Sequence, residues 1–218
     1  MNSTLMYGAK KIDRVVRDAE FYLTEYRKDI GYLYQKYAMI TSPDQVVPED
    51  LAVTLLMNSQ VGWKAFQTLH ENRGAIDLSH LPCKPLEQTT YAERREVAAV
   101  IAKLANLPGF ASSVATKVLH KKRSSLIPVL DNQAIYGAYL YPHWPGKPAR
   151  TDSIKDMNTI WTALDWITYD LNRPENAATW DYLQSLEPGL SRIQIFDSVW
   201  WMYFRKVQPV IKRQKGEK

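Results

Sequence analysis

The chain has a single cysteine, Cys83, among its 218 residues. One thiol cannot form an internal disulfide, and within one chain it cannot ligate a structural zinc ion or an iron–sulfur cluster. Cys83 lies between Pro82 and Pro85, which indicates a proline-braced loop rather than a site for a catalytic thiol. His120 and His143 have no ligand-like residues beside them. We therefore expect neither a bound metal nor a cofactor.

Long apolar runs are missing as well. No run is long enough to span a bilayer, and residues 1–11 lack the apolar core of a signal peptide. From this pattern we expect a cytoplasmic protein with no membrane partner. Internal repeats, low-complexity blocks and strand-like alternation of any useful length are also absent. The predicted fold class is therefore all-α.

Aromatic residues and basic residues are the types that the chain has in excess. It carries 7 Trp and 13 Tyr, a net charge of +5 and an isoelectric point near 9.1. Large flat rings fill protein cores, and they also stack on nucleic-acid bases. The charge favours a polyanionic partner, although many enzymes are equally basic. With 45% hydrophobic residues, the chain can bury a core as one domain or as two small lobes that share a cleft.

Apolar residues at three- and four-residue spacing predict a series of helices. A capping box formed by Thr90 and Glu93 marks the start of one of them. Pro142, Pro145 and Pro148 predict a rigid break near residues 141–150. The predicted helices cover 12–38, 51–57, 62–71, 91–104, a segment ending near 120, a segment starting near 132, 153–171, 174–186 and 191–207.

The segment Leu107-Pro108-Gly109 predicts a tight turn between two of these helices. Gly109 can supply the left-handed backbone that such a turn needs. The amides of Ala111, Ser112 and Ser113 would then lie at the positive end of the next helix, where unpaired N–H groups suit a phosphate oxygen. The alternative is an ordinary helical hairpin with no ligand.

A carboxylate follows this hairpin at Asp131. It ends the apolar stretch 125–130 and directly precedes the next predicted helix. An isolated aspartate at such a position is most simply a helix N-cap. Asp131 therefore has two interpretations, a cap and a functional acid.

Taken together, the hairpin and Asp131 resemble the helix-hairpin-helix DNA glycosylase superfamily. Leu107-Pro108-Gly109 matches the turn of that family, and Asp131 falls where its catalytic aspartate falls. The lyase branch keeps a lysine at the position of Ser113, which precedes Asp131 by the expected 18 residues. Residues 51–61 also resemble the family's helix and DNA-facing polar turn. The resemblance covers roughly residues 49–141.

The chain departs from the family pattern at several positions. Ala111 replaces the second glycine of the hairpin, and Ser113 replaces the lysine, so that no Schiff base can form there. Asn132 and Gln133 follow the aspartate in place of the usual Thr-His pair, and the iron–sulfur cysteines are absent. We therefore expect a divergent, monofunctional member of the family.

The resemblance also implies an architecture of two helical lobes with a central cleft. Residues 45–140 would form the lobe that carries the hairpin, and residues 8–44 with 141–210 would form the other. Trp200 and Trp201 cannot share one helix face, so at least one of them can reach the cleft or the lobe interface. Core packing is the alternative for both.

In the mechanism that the resemblance implies, the target nucleotide swings out of the duplex into a pocket. Asp131 would stabilise the positive charge that develops on the sugar. Lys117 lies one helical turn beyond Ser113, and it is either a displaced amine nucleophile, a phosphate contact or an exposed side chain.

Two polar clusters are candidates for DNA contacts. The basic run Lys121, Lys122 and Arg123 can clamp the DNA backbone, or it is a solvated loop. The other cluster can fill the gap that a flipped base leaves, or it caps a helix. It consists of Asn58, Ser59 and Gln60.

Three hypotheses remain at this stage. The first is a DNA N-glycosylase for an oxidised or alkylated base, or for a hypermodified base in invading phage DNA, with double-stranded DNA as its partner. The second is a non-catalytic helix-hairpin-helix DNA-binding protein in which Asp131 is only a cap. The third is a helical interaction protein whose resemblance is accidental. The sequence indicates no particular protein partner.

Overall fold

The structure is a computed structural model that describes residues 3–9, 14–57, 59, 61–140 and 154–214, with side chains described as far as residue 207. The described chain is mostly helical and contains one small sheet. Strand β1, Leu5–Tyr7, pairs antiparallel with β2, Arg14–Val16, so that Leu5 lies opposite Val16. The prediction of a helical class is confirmed, with this two-stranded sheet as an addition that the sequence did not indicate.

The α-helices are α1 Ala19–Tyr26, α2 Ile30–Lys36, α3 Trp63–Glu71, α4 Tyr91–Asn106, α5 Ser112–Lys122, α6 Met157–Asn172, α7 Ala177–Leu186 and α8 Arg192–Gln214. Short 3₁₀ helices cover Pro48–Met57, Leu86–Gln88 and Pro174–Asn176, and a π-helix covers Asn132–Leu140. The predicted proline break near 141–150, and His143 with it, lies outside the described residues.

The prediction of one long helix over 12–38 is wrong. Its first part pairs as β2, and Asp18 then adopts a left-handed conformation, with φ 58°, before α1 begins. A second interruption comes at Asp29, whose side chain accepts a hydrogen bond from the Gly31 amide and caps α2. α1 and α2 each bury one apolar face. Their apolar residues therefore follow a helical spacing on both sides of the breaks, and the sequence reads as one helix.

The prediction for α4 is confirmed down to its cap. The Thr90 amide donates to Glu93 Oε2 at 2.7 Å, and the Glu93 amide donates to Thr90 Oγ1 at 3.3 Å. A capping box of this kind satisfies amides that the first helical turn leaves without partners. The helix therefore starts where its local sequence indicates.

One continuous hydrophobic core holds the helices together. α4 packs against α5 and α6, and α1 packs against α8. Buried Asp170 joins the amino-terminal segment to this core, because it accepts hydrogen bonds from the amides of Gly8 and Ala9 and from the Tyr139 hydroxyl, at 2.7, 3.0 and 2.7 Å. α8 contacts both α1 and the π-helix.

None of the described helices combines the length and the apolar character needed to cross a bilayer.

Candidate functional site

The turn between α4 and α5 has the backbone that the sequence predicts. Gly109 has φ +89°, and a Cβ atom there would lie 2.7 Å from the backbone nitrogen of Ala65. Any larger residue would therefore be strained by its own conformation and would also collide with α3. Pro108 and Gly109 are both exposed, so the tip of the turn is open to a partner.

The amides that follow the turn are less available than predicted. The Ser112 amide donates to the Ile154 carbonyl at 3.1 Å, and both Ser112 and Ser113 are buried. Ser112 therefore cannot offer its N–H to a phosphate, and this expectation is corrected. The contact arises because the chain before α6 packs over the start of α5, which the local sequence does not reveal. Only Gly109 and Ala111 of the predicted anchor keep part of their surface accessible.

The predicted basic clamp turns inward. Lys121 Nζ donates to the carbonyl oxygens of Tyr34 and Gln35, at 2.7 and 3.1 Å. Arg123 Nη2 lies 2.6 Å from Asp44 Oδ1. These bonds tie the end of α5 to α2 and to the segment between α2 and the first 3₁₀ helix, and they leave little of either charge for DNA.

Lys122 is the clearest case of this inward turn. Its Nζ lies 2.8 Å from Asp50 Oδ2, and neither side chain is exposed to solvent. The ammonium also donates to Thr41 Oγ1 at 2.6 Å. A phosphate cannot reach it, so the expectation of a DNA contact by Lys122 is wrong. The pair is structural, because two buried charges must satisfy each other.

A cavity of about 360 Å³ opens beside α5 and α8. Its lining combines aromatic rings, apolar side chains and a few ionisable groups. The described residues that line it are Tyr26, Asp29, Ile30, Gly31, Gln35, Leu56, Met57, Lys117, Val129, Asp131, Ala134, Ile135, Asp197, Trp200, Trp201 and Arg205. Both residues that we expected to be catalytic, Asp131 and Lys117, are among them.

Asp131 stands at the start of the π-helix. Its Oδ1 accepts hydrogen bonds from the amides of Gln133 and Ala134, at 2.8 and 2.9 Å. Oδ1 of Asp131 therefore caps the π-helix, as the capping interpretation predicts. No hydrogen bond to Oδ2 from another described residue is present. Asp131 is thus fixed in orientation by its cap while it lines the cavity.

Lys117 is 7% exposed and lines the same cavity. Its Nζ donates to Ser59 Oγ at 2.5 Å, and its carbonyl oxygen accepts from the Tyr34 hydroxyl at 2.6 Å. Burial lowers the pKa of this amine, and the nearby charge of Asp131 opposes that shift. The solvent-exposed alternative for Lys117 is therefore wrong.

Asp197 of α8 is a third ionisable group in the cavity wall. The Val129 amide donates to its Oδ2 at 3.0 Å, while Oδ1 is closed off from solvent and has no partner among the described residues. Burial raises the pKa of Asp197 to about 8, against a smaller lowering effect of the Val129 hydrogen bond. Its bond to Val129 also holds the chain two residues before Asp131.

The two tryptophans of α8 divide their roles. Trp200 is buried, and its Nε1 donates to the Ala134 carbonyl at 2.7 Å, so it holds the start of the π-helix. Trp201 is partly buried at the cavity wall, with the Arg205 guanidinium 5.9 Å from its ring centre. Arg205 also pairs with Asp29 at the rim. Both tryptophans thus line the cavity, and Trp200 belongs to the core as well.

The comparisons with known proteins give one match. The chain matches, over residues 15–204, a family described only as a family of unknown function, DUF6308. The chain belongs to the DUF6308 family. Neither a curated protein nor a solved structure matches it. The matched range contains every residue of the cavity wall except Arg205.

For this DUF6308 chain, the sequence-predicted residues separate into two groups. Asp131 and Lys117 line the cavity together, and the Ser59 hydroxyl oxygen accepts a hydrogen bond from Lys117. Asn58 and Gln60 lie outside the described residues, so their predicted role stays a prediction. The other group consists of the turn and the basic run, Gly109, Ala111, Ser112, Ser113, Lys121, Lys122 and Arg123, and none of these lines the cavity.

Sequence reasoning missed the contribution of Tyr26, Asp29 and Arg205 to the cavity. Tyr26 falls within the predicted helix 12–38, and Arg205 falls within the predicted helix 191–207. Nothing in their local sequence separates them from ordinary helix residues, because their meeting depends on the packing of α1 against α8. Among the described residues, no cluster of three or more His, Cys, Asp or Glu side chains could hold a metal ion.

Proposed function

We propose that this protein is a DNA N-glycosylase, which extrudes a damaged or modified base into the cavity and hydrolyses its bond to the sugar. The observation that carries the proposal is the meeting of Asp131 and Lys117 in one aromatic-lined cavity, beyond an exposed Leu-Pro-Gly turn. The resemblance to helix-hairpin-helix glycosylases was based on the turn, on Asp131 and its spacing from Ser113, and on residues 51–61. The cavity is an independent feature that the proposed chemistry needs.

The cavity is suited to a planar aromatic ligand. Its volume of about 360 Å³ falls within the range of small-molecule sites, roughly 300–1,000 Å³. Tyr26, Trp200 and Trp201 supply ring surfaces, and bases stack favourably on such rings. A flipped base would thus exchange its stacking in the duplex for stacking in the protein.

Asp131 is the group that we assign to the reaction itself. Cleavage of the glycosidic bond develops positive charge on the sugar, and a fixed carboxylate beside it stabilises that charge. The two amide hydrogen bonds to Oδ1 hold the group in place without consuming Oδ2. Preorganised groups of this kind contribute about 3–4 kcal/mol to the barrier.

Lys117 supplies an amine at the same site. Its electrostatic partner is Asp131, and its lowered pKa increases the fraction of neutral amine relative to an exposed lysine. Ser113 stands where the lyase branch of the family has its lysine, and serine has no amine. We therefore propose that water, and not an amine, displaces the base. Lys117 then acts on Asp131 through its charge, and its amine adds positive potential at the cavity, which favours the phosphate-rich strand.

The two-lobe arrangement belongs to the same proposal. The cavity wall draws on residues of the proposed hairpin lobe, 45–140, through Lys117 and Asp131, and on the remainder of the chain through Tyr26 and Trp200. A site between two lobes gives the duplex a cleft to enter. The net charge of +5 suits a double-stranded DNA partner, and a genomic or phage DNA substrate suits a cytoplasmic protein.

The test uses duplexes that each carry one oxidised, alkylated or hypermodified base. Wild-type protein should create abasic sites, which alkali converts to strand breaks. Asp131→Asn should lose about 100-fold or more in rate, consistent with about 3 kcal/mol of barrier. Asparagine still offers an oxygen to the amides of Gln133 and Ala134, so this variant keeps the cap while it removes the charge. Asp181→Asn, on the exposed side of α7, is the matched control.

The second candidate function is a non-catalytic DNA-binding protein. One observation favours it, the cap that Asp131 Oδ1 provides to the π-helix, because a cap alone would explain an aspartate here. Salt-sensitive binding of duplexes without abasic sites, on every base of the panel, would support this candidate. Absence of both binding and base release would leave the helical interaction protein.

A further inference from the structure

Asp197 has no role in the reaction described so far, yet it lines the cavity beside Asp131. Among the described residues, the Val129 amide is the one donor of a hydrogen bond to it. No lysine or arginine among the described residues lies within ion-pair distance of it. A carboxyl group left without a cation in an aromatic pocket is costly to ionise.

Three tyrosines, whose hydroxyls are neutral at physiological pH, are among the described groups that face Asp197. Asp197 acts electrostatically on tyrosines of β1, α1 and α2, and burial is the largest cause of their raised pKa values. The titratable groups that face it or share its cavity are Tyr7 of β1, Tyr26 of α1, Asp29 at the cap of α2, Tyr34 of α2, Lys117 of α5, Asp131 before the π-helix, and Arg205 of α8 itself.

The two carboxyl groups of the cavity therefore have different surroundings. Asp131 accepts hydrogen bonds from two amides at the positive end of a helix, as a carboxylate does. Asp197 accepts one amide, and burial holds its pKa near 8, so it carries a proton at neutral pH. A buried acid that holds a proton, in one cavity with a carboxyl group that accepts two amide hydrogen bonds, provides a candidate proton donor and a candidate proton acceptor.

We propose that Asp197 is the general acid of this cavity, and that the substrate is a base which is neutral until it accepts the proton of Asp197. This inference rests on the proposed glycosylase function and specifies its substrate class. A neutral base is a poor leaving group, because it departs as an anion unless it is protonated. A base that is already cationic, such as 7-methylguanine, leaves without an acid, and the amine of Lys117 would repel it.

The proposed reaction conserves atoms and charge. The C1′–N bond breaks, its electron pair goes to the base, and the Asp197 proton moves to a ring nitrogen or carbonyl oxygen of that base. Water adds its oxygen to C1′ and gives a proton to Asp131. The products are the free neutral base, an abasic sugar, ionised Asp197 and protonated Asp131, and exchange with solvent restores both acids.

The experiment compares single-turnover rates on two duplexes, one with 7-methylguanine and one with the neutral base that the wild-type protein releases fastest. Rates are measured from pH 6 to pH 9.5 for wild type and Asp197→Asn. Asparagine keeps the volume and an oxygen for the Val129 amide, but it has no proton to transfer. Thermal unfolding of each variant confirms that it is folded, and Asp181→Asn is again the surface control.

Wild type should prefer the neutral base, and its rate should fall about tenfold per pH unit above about pH 8. Asp197→Asn should lose about 100-fold on the neutral base and show no decline above pH 8. A purely structural role would instead lower the rate without changing the shape of the pH profile.

Three results would overturn the inference in distinguishable ways. Equal rates and equal pH profiles for wild type and Asp197→Asn would show that Asp197 is not the general acid, and the glycosylase function would be unaffected. Release of 7-methylguanine and of no neutral base would show that the substrate is not a neutral base. A wild-type protein that releases no base at all would overturn the proposed function and this inference together.

Discussion

Replacing Asp197 with asparagine should flatten the pH dependence of stability between about pH 6.5 and pH 8. Burial raises the pKa of Asp197 in the folded protein to about 8, from an ordinary value of 3.8. Between these values the folded protein binds a proton that the unfolded chain does not. The free energy of unfolding therefore falls as pH rises, by about 1.4 kcal/mol per unit.

The two pKa values of Asp197, 3.8 and about 8, span the whole window of pH 6.5–8, unlike those of His120, Asp170 and Lys121. Burial lowers the pKa of His120 from 6.5 to about 4, so that His120 changes stability only below pH 6.5 and with the opposite sign. Burial raises the pKa of Asp170 to about 6, and its contribution is nearly complete by pH 6.5. Burial lowers the pKa of Lys121 from 10.5 to about 8, which affects stability above pH 8.

Across this window the wild-type protein should lose about 2 kcal/mol of unfolding free energy, and Asp197→Asn should lose almost none. The measurement is urea unfolding at four pH values, followed by tryptophan fluorescence and circular dichroism. Asp181→Asn is the control, since its carboxylate is exposed and should keep the wild-type slope. The reasoning is refuted if wild type and Asp197→Asn have the same slope, whatever their difference in absolute stability.

Three further predictions concern the fold and the site. Lys122→Met should destabilise the protein by about 3–5 kcal/mol in chemical unfolding, because it leaves the Asp50 charge buried and unpaired; a loss below 1 kcal/mol would contradict a closed ion pair. Gly109→Ala should lower the melting temperature, since its φ of +89° and its contact with α3 both exclude a side chain, whereas Gly189→Ala, with open space around it, should change little. Borohydride should not trap the wild-type protein on an abasic duplex, as expected for hydrolysis by water; a covalent adduct that Lys117→Arg abolishes would instead assign lyase chemistry to this amine.

Much of the helical framework could be read from local sequence. The capping box at Thr90 and the apolar spacing after it define α4, because both act within a few residues. The same is true of the turn at Gly109, whose left-handed backbone is a local requirement. The prediction of one helix over 12–38 was wrong because residues 14–16 have helix-like apolar spacing but pair as a β-strand. β1 and β2 pair over three residues each, and segments this short show no alternating pattern that predicts a strand.

The candidate site was predictable in part. Asp131 and Lys117 were identified from the resemblance to helix-hairpin-helix glycosylases, and they do share a cavity. The basic run was misjudged because charge in a sequence indicates solvent by default, and the partner of Lys122 lies 72 residues away in the chain at Asp50. Whether a charged side chain is buried depends on which distant segment packs over it. A single sequence does not show that packing.

The sequence alone determined that the chain is helical, where most of its helices begin and end, and that an acid follows a glycine turn, since caps, periodicity and glycine conformation act over one or two helical turns. Only the tertiary structure decided that α8 lies against the start of the π-helix, that Asp197 and two tryptophans enclose the space beside Asp131, and that the basic run is bound within the protein. These features depend on contacts between residues that are far apart in the chain, and their energies come from burial and desolvation, which exist only once the chain has folded.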